Sequence, residues 1–168
     1  MSEESQTTVN VLFVCMGNIC RSPMAEGVFR KRLRQRAGDL GIKIDSAGTH
    51  GYHDGSPPDE RAQAAAARRG VDISSLAARR VAAEDFDRFD FILAMDVDNL
   101  EFLVERSEPE HHEKIQLFLD YSRTRTGSEV PDPYYGGPTG FERVLDLIEE
   151  AADGLLEDVI DAATKRAG

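Results

Sequence analysis

The chain has no tryptophan, only two cysteines, and no apolar run near the length a membrane-crossing helix needs. So few cysteines exclude the disulfide framework of a small secreted scaffold and suit a reducing cytoplasm, where a thiol can be kept for chemistry. Basic residues are in deficit: 20 Lys and Arg face 31 Asp and Glu, a formal net charge of −11. That balance argues against non-specific binding to nucleic acid or to anionic lipid. The G-x-x-x-x-G-K-[S/T] pattern of a nucleotide-binding loop is also missing. The start, Met1-Ser2-Glu3-Glu4-Ser5-Gln6-Thr7-Thr8, is polar and acidic, without a signal-peptide pattern. Residues 1–8 therefore read as a flexible lead-in, and 9–168 as one domain.

What is present is an ordinary globular composition, 40% hydrophobic and 30% charged over 168 residues, enough for one sizeable core. Strand and helix patterns alternate, which predicts an α/β fold with a parallel sheet wrapped by helices. Val9 to Val14 is apolar enough for a strand buried on both faces. A helix is expected from Ser22, with Ser22 as N-cap, Pro23 as first residue and Gly38 past its end. Ala25, Val28, Phe29 and Leu33 make its inner stripe. The basic residues Arg30, Lys31, Arg32, Arg34 and Arg36 read as its solvated face rather than a nucleic-acid patch. Further strands are expected at 42–45, 89–95 and 114–118. Helices are expected after Asp59, at 97–106, and from a Thr139/Glu142 capping box onward.

The chemistry is concentrated in Cys15-Met16-Gly17-Asn18-Ile19-Cys20-Arg21-Ser22-Pro23, between the first strand and the first helix. A loop entering a helix aims backbone N–H groups and the positive end of the dipole at one point, an anion site. Gly17 and Asn18 tolerate the unusual backbone angles such a cradle needs. Arg21 offers a planar fork for two phosphate oxygens. A thiol in that field is favoured as the nucleophilic thiolate. Cys20 has two readings, a small packed side chain or a partner that protects Cys15 by a reversible disulfide. His50 and His53 near Asp54 read as surface histidines, with no clear third and fourth ligands for a metal site, and His111-His112, in an acidic polar stretch, reads as loop surface.

On that loop, on Asp132-Pro133-Tyr134-Tyr135, and on Ser46-Ala47-Gly48-Thr49, Glu84-Asp85-Phe86 and Met95-Asp96, nearly the whole chain resembles the low-molecular-weight protein tyrosine phosphatases. The resemblance implies a single domain built on a four-stranded, twisted parallel sheet with helices on both sides. It implies hydrolysis of protein phosphotyrosine and aryl phosphates, with Cys15 as nucleophile, Arg21 as phosphate clamp and Asp132 as general acid and base. Met16, Gly17, Asn18, Ile19, Cys20 and Ser22 would form the phosphate loop, Ser22 supporting the thiolate. Tyr52, Tyr134 and Tyr135, with Met16 and Ile19, would wall the cleft. Asn18 and Ser46 would share hydrogen bonds that hold the loop. Tyr52 stands where many relatives carry tryptophan, and Leu76 where some animal members carry histidine.

The resemblance implies no metal or other cofactor, because Arg21 and backbone amides can hold the phosphoryl charge. It also implies a phosphotyrosine protein as partner, for which a bacterial tyrosine kinase is one candidate, and a monomer or weak dimer. An arsenate reductase on the same scaffold would need further relay cysteines, and none follows Cys20. A non-catalytic phosphate-binding module would not need Cys15, Arg21 and Asp132 together.

Overall fold

The computed structural model describes residues 9–38, 40–123, 129–134, 136 and 138–167. The lead-in 1–8 and Tyr135 lie outside the described residues. The chain runs β1 (Val9–Cys15), α1 (Arg21–Arg36), β2 (Ile42–Gly48), α2 (Glu60–Arg68), a one-turn α3 (Asp85–Arg88), β3 (Phe91–Ala94) and α4 (Val97–Arg106). A 3₁₀ segment (Pro109–Lys114), β4 (Ile115–Leu117), a second 3₁₀ turn (Phe118–Tyr121) and the long α5 (Pro138–Ala167) follow. The strands form one sheet in the order β2-β1-β3-β4, and every pairing is parallel.

β1 is central, so both its faces are buried and its residues split by parity. Val9, Val11, Phe13 and Cys15 join the core made with α1, α2 and α5. Leu12 and Val14 join the opposite core with Phe86, Phe89 and Leu103. Phe13 meets Phe29 and Phe118 edge-on, at centroid distances of 5.7 and 5.1 Å. Burying a side chain of that size is worth roughly 1.5–3 kcal/mol. The strand order reverses at β1, with β2 on one side and β3 on the other. In open parallel sheets ligands bind outside the carboxyl ends of the strands at such a point. Cys15 is the last residue of β1.

Helix α1 begins one residue before its expected N-cap. Arg21 is the first helical residue, and Cys20 stands at the cap with no side-chain hydrogen bond. Ser22 does not cap because its hydroxyl is engaged elsewhere, and Pro23 sits inside the first turn, where a missing N–H costs little. Gly38, at φ 69°, ends the helix by returning its N–H to Leu33. Three of the five basic residues on that face of α1 meet protein acids or carbonyls, while Arg34 and Arg36 are exposed. Arg30 pairs with Glu26, Arg32 with Glu149 and Asp153, and Lys31 donates to the Arg69 carbonyl.

β2 is longer than expected, because Ser46 to Gly48 continue the ladder beside Phe13 to Cys15. Asp59 caps α2 by accepting the Arg61 N–H at 2.8 Å. The Glu142 carboxylate is taken by Arg68 and Arg69, and the Thr139 side chain of the expected capping box lies outside the described residues. Among the described residues no helix is long and apolar enough to cross a membrane.

Candidate active site

β1 delivers Cys15 to the end of the sheet, and the chain then turns through residues 16–20 into α1. The turn is made possible by Asn18, whose φ is 58°, a left-handed angle that asparagine tolerates better than most residues. With that geometry the Asn18 backbone N–H points at Cys15 Sγ, 3.3 Å away. Ser22 Oγ lies 3.1 Å from the same sulfur.

A chain of hydrogen bonds fixes the orientation of each of these groups. The Arg79 backbone N–H donates to Asn18 Oδ1 at 3.0 Å, so the Asn18 Nδ2 must face the other way. It donates to Ser22 Oγ at 2.7 Å and to Ser46 Oγ at 3.0 Å. Ser22 Oγ is thereby used as an acceptor, which leaves its proton for Cys15 Sγ. Ser46 Oγ donates onward to Glu26 Oε1 at 2.8 Å. Asn18, Ser22, Ser46 and Glu26 are all buried. Burial pushes the Glu26 carboxyl above the ordinary range, with Ser46 and Arg30 opposing it.

Arg21 is buried and points along the same cavity. Its Nη1 donates to Asp96 Oδ2 at 2.7 Å and to the Val130 carbonyl at 3.1 Å. Its Nη2 is 3.6 Å from Asp132 Oδ2. Burial alone would pull the guanidinium pKa down, but Cys15, Asp96 and Asp132 outweigh it and keep the group charged. Asp96 is held in turn as the N-cap of α4, its other oxygen accepting the Asn99 N–H at 2.8 Å. Asp132 accepts the Tyr134 N–H at 3.1 Å, so it initiates a turn as well as facing Arg21.

These groups surround a cavity of about 280 Å³ lined by Cys15, Met16, Gly17, Ile19, Cys20, Arg21, Tyr52, His53, Asp132 and Tyr134. Sulfur and guanidinium form its floor, and Tyr52, Tyr134 and Met16 are its more exposed walls. Of the residues expected from sequence, Asn18, Ser22 and Ser46 stand behind the floor rather than on it. Cys20 lines the wall as a buried free thiol. Burial first, and then the Asp59 carboxylate, push its pKa well up, so it stays protonated at neutral pH.

His53 is a correction to the sequence reading. It is half-buried, lines the cavity and packs tightly against Gly17, where an added Cβ would lie 3.1 Å from the imidazole Cδ2. Its ring centroid is 6.3 Å from that of Tyr134. Glu26 and Arg79 were also missed, because a charged residue on a helix or in a loop carries no local sign that its partner is a distant loop. Asp96 could have been found, since an acid straight after an apolar strand is an N-cap signal.

Residues 10–165 match the family model described as low molecular weight phosphotyrosine protein phosphatase. The chain belongs to this family. It is 42% identical over 151 residues to the low molecular weight protein-tyrosine-phosphatase YfkJ of Bacillus subtilis, covering 90% of this chain and 96% of YfkJ. It is also 42% identical over 154 residues to the Homo sapiens low molecular weight phosphotyrosine protein phosphatase, covering 90% and 96%. The crystal structure of an Entamoeba histolytica protein tyrosine phosphatase, with Hepes in its active site, superposes with a TM-score of 0.87 at 41% identity, covering 91% of this chain and 97% of that one. Vibrio vulnificus Wzb, solved in complex with benzylphosphonate, superposes with a TM-score of 0.78 at 29% identity, covering 89% and 98%. This low-molecular-weight phosphatase is thus a tyrosine phosphatase by family, with the four-stranded parallel α/β fold of its relatives.

Proposed function

We propose that this phosphatase hydrolyses phosphotyrosine in proteins through a covalent phosphocysteine. The observation that carries the mechanism is the sulfur of Cys15 facing two donors, the Asn18 N–H at 3.3 Å and the Ser22 hydroxyl at 3.1 Å. Two donors stabilise a thiolate, the form that attacks phosphorus. Arg21 holds two equatorial oxygens of the phosphoryl group, and its charge compensates theirs as the bond to the leaving oxygen breaks. Asp132, at the cavity rim, gives its proton to the departing phenolate. In the second step its carboxylate takes a proton from the water that attacks the phosphocysteine, releasing phosphate and the thiolate. Tyr52 and Tyr134 flank the phenyl ring.

The substrate is a phosphotyrosine protein, with a bacterial tyrosine kinase as one candidate by family analogy. A nucleophilic thiol beside a second free thiol supports a reducing compartment such as the cytoplasm. The test is p-nitrophenol release from p-nitrophenyl phosphate in EDTA, comparing the native protein with Cys15→Ser. Turnover that survives chelation and vanishes in the variant is expected. Turnover retained by Cys15→Ser would mean that another group is the nucleophile.

A further inference from the structure

Next to the catalytic cavity lies a second depression, of about 500 Å³, lined by Thr49 to Gly51, by Arg80 to Ala83 and by Phe86, Phe102 and Arg106. Its two cations contrast with the acidic whole. Among the described residues, its lining carries no carboxylate. Arg80 is 65% exposed in its side chain and gives only its Nε to Asp54, at 3.2 Å, which leaves its outer nitrogens for a ligand. Arg106 stacks its guanidinium 3.8 Å from the centre of the Phe102 ring. That contact fixes the plane of the fork while leaving its N–H edges open to an anion.

The two depressions share a wall. The His50 ring, in the second, stacks on the Tyr52 ring of the first at 5.5 Å and an interplanar angle of 6°. His50 also touches Phe102, at 5.8 Å between centroids. Arg80 is tied to the same end of the sheet as Cys15 through its bridge to Gly48. A polypeptide with one phosphotyrosine in the catalytic cavity can therefore pass over Tyr52 and lay a neighbouring side chain into the second depression.

We propose that this depression is a subsite for a second phosphotyrosine on the same substrate chain. Its phosphate would lie between the Arg80 and Arg106 guanidinium groups, and its ring against His50 and Phe102. The inference rests on the phosphotyrosine-protein reading above and adds a preference for multiply phosphorylated segments. The chemistry favours this occupant because two arginine forks match a phosphate dianion and the aromatic lining matches its ring. A protein of net charge −11 repels such a substrate at long range, so the attraction must come from local cations.

The test uses synthetic peptides with one phosphotyrosine, and a series carrying a second phosphotyrosine about two to six residues away, a reach of roughly 7–20 Å in extended chain. A parallel series carries glutamate at the second position. Each is assayed with the native protein and with the Arg80→Ala/Arg106→Ala double variant, alongside p-nitrophenyl phosphate. For at least one spacing, the doubly phosphorylated peptide should show a kcat/KM about tenfold higher, through KM, as expected for a charge-assisted contact. The double variant should lose that preference and keep its rates on the single-phosphate peptide and on p-nitrophenyl phosphate, which also reports that it is folded. Equal rates for both peptide classes, a preference that survives the double variant, or an equal gain from glutamate would each overturn the subsite. A native protein inactive on every phosphotyrosine peptide but active on p-nitrophenyl phosphate would instead overturn the substrate class beneath it.

Discussion

The backbone N–H of Arg79 donates to Asn18 Oδ1 across 61 residues of sequence, and this single contact decides which way the Asn18 amide faces. With the oxygen so committed, Nδ2 is left to serve Ser22 and Ser46 together. Asn18→Asp replaces that donor by an acceptor and puts a negative charge beside the sulfur. Losing one or two hydrogen bonds of about 0.5–1.5 kcal/mol each predicts a kcat lower by roughly two- to 150-fold. Steady-state turnover of p-nitrophenyl phosphate checks this; a kcat within twofold of native would show that the amide does not set the chemistry.

Glu26 predicts a pH signature in stability. Burial raises its carboxyl pKa in the folded state, so the fold binds that proton more tightly than the unfolded chain does. The resulting stabilisation is fully present below the unfolded value, about 4.3, and is lost as pH rises through the folded value. Glu26→Gln, which stays neutral throughout, should therefore gain on the native protein as pH rises from about 4 to about 7. Urea midpoints of both proteins across that window give the sign. The opposite trend would mean that Ser46 and Arg30 favour the carboxylate more than burial disfavours it.

Gly48 is fixed by close approach. A Cβ there would stand 2.7 Å from the Met16 carbonyl oxygen and 3.1 Å from that of His50, both of them backbone. Backbone cannot swing aside as a side chain can, so Gly48→Ala must move the phosphate loop. A displacement near 1 Å at a reacting group costs on the order of 10²-fold in rate. Circular dichroism should show a folded protein while p-nitrophenyl phosphate turnover falls by about that factor. Unchanged turnover would show that the loop accommodates the methyl group.

For Asp132→Asn, loss of the general acid predicts a kcat lower by about 10² to 10⁴-fold on phenyl phosphate. The loss should be smaller on substrates whose leaving group departs readily without a proton. A series of aryl phosphates reads this as a steeper dependence of rate on leaving-group basicity. The same dependence in native and variant would remove Asp132 from the acid role.

How much of this was legible in the sequence depended on range. Cys15 and Arg21 could be read because the cradle is local, a strand end and a helix start within seven residues. The parallel sheet could be read because β1 and β3 are apolar on both faces, as only strands covered by helices on both sides can be. Glu26 could not be read. It lies in α1 among basic residues and looks solvated until Ser46, 20 residues on, arrives to donate its hydroxyl to the carboxylate. The start of α1 was misplaced for a related reason, since Ser22 has the composition of a cap but spends its hydroxyl on sulfur. His53 was read as surface because nothing in a glycine-rich loop says that it folds back onto Gly17.

The nucleophile and the acid are mounted on parts of unequal permanence. Cys15 ends a strand paired on both sides, whose amides open only when the whole domain does. Asp132 rides a loop moored at Val130, which bonds Met95 and Arg21, and at Tyr134, whose carbonyl takes Arg61. Amide exchange should accordingly be slowest at β1 and fast beside Asp132. Mild denaturant should then silence catalysis while the sheet, and the sulfur at its tip, are still intact.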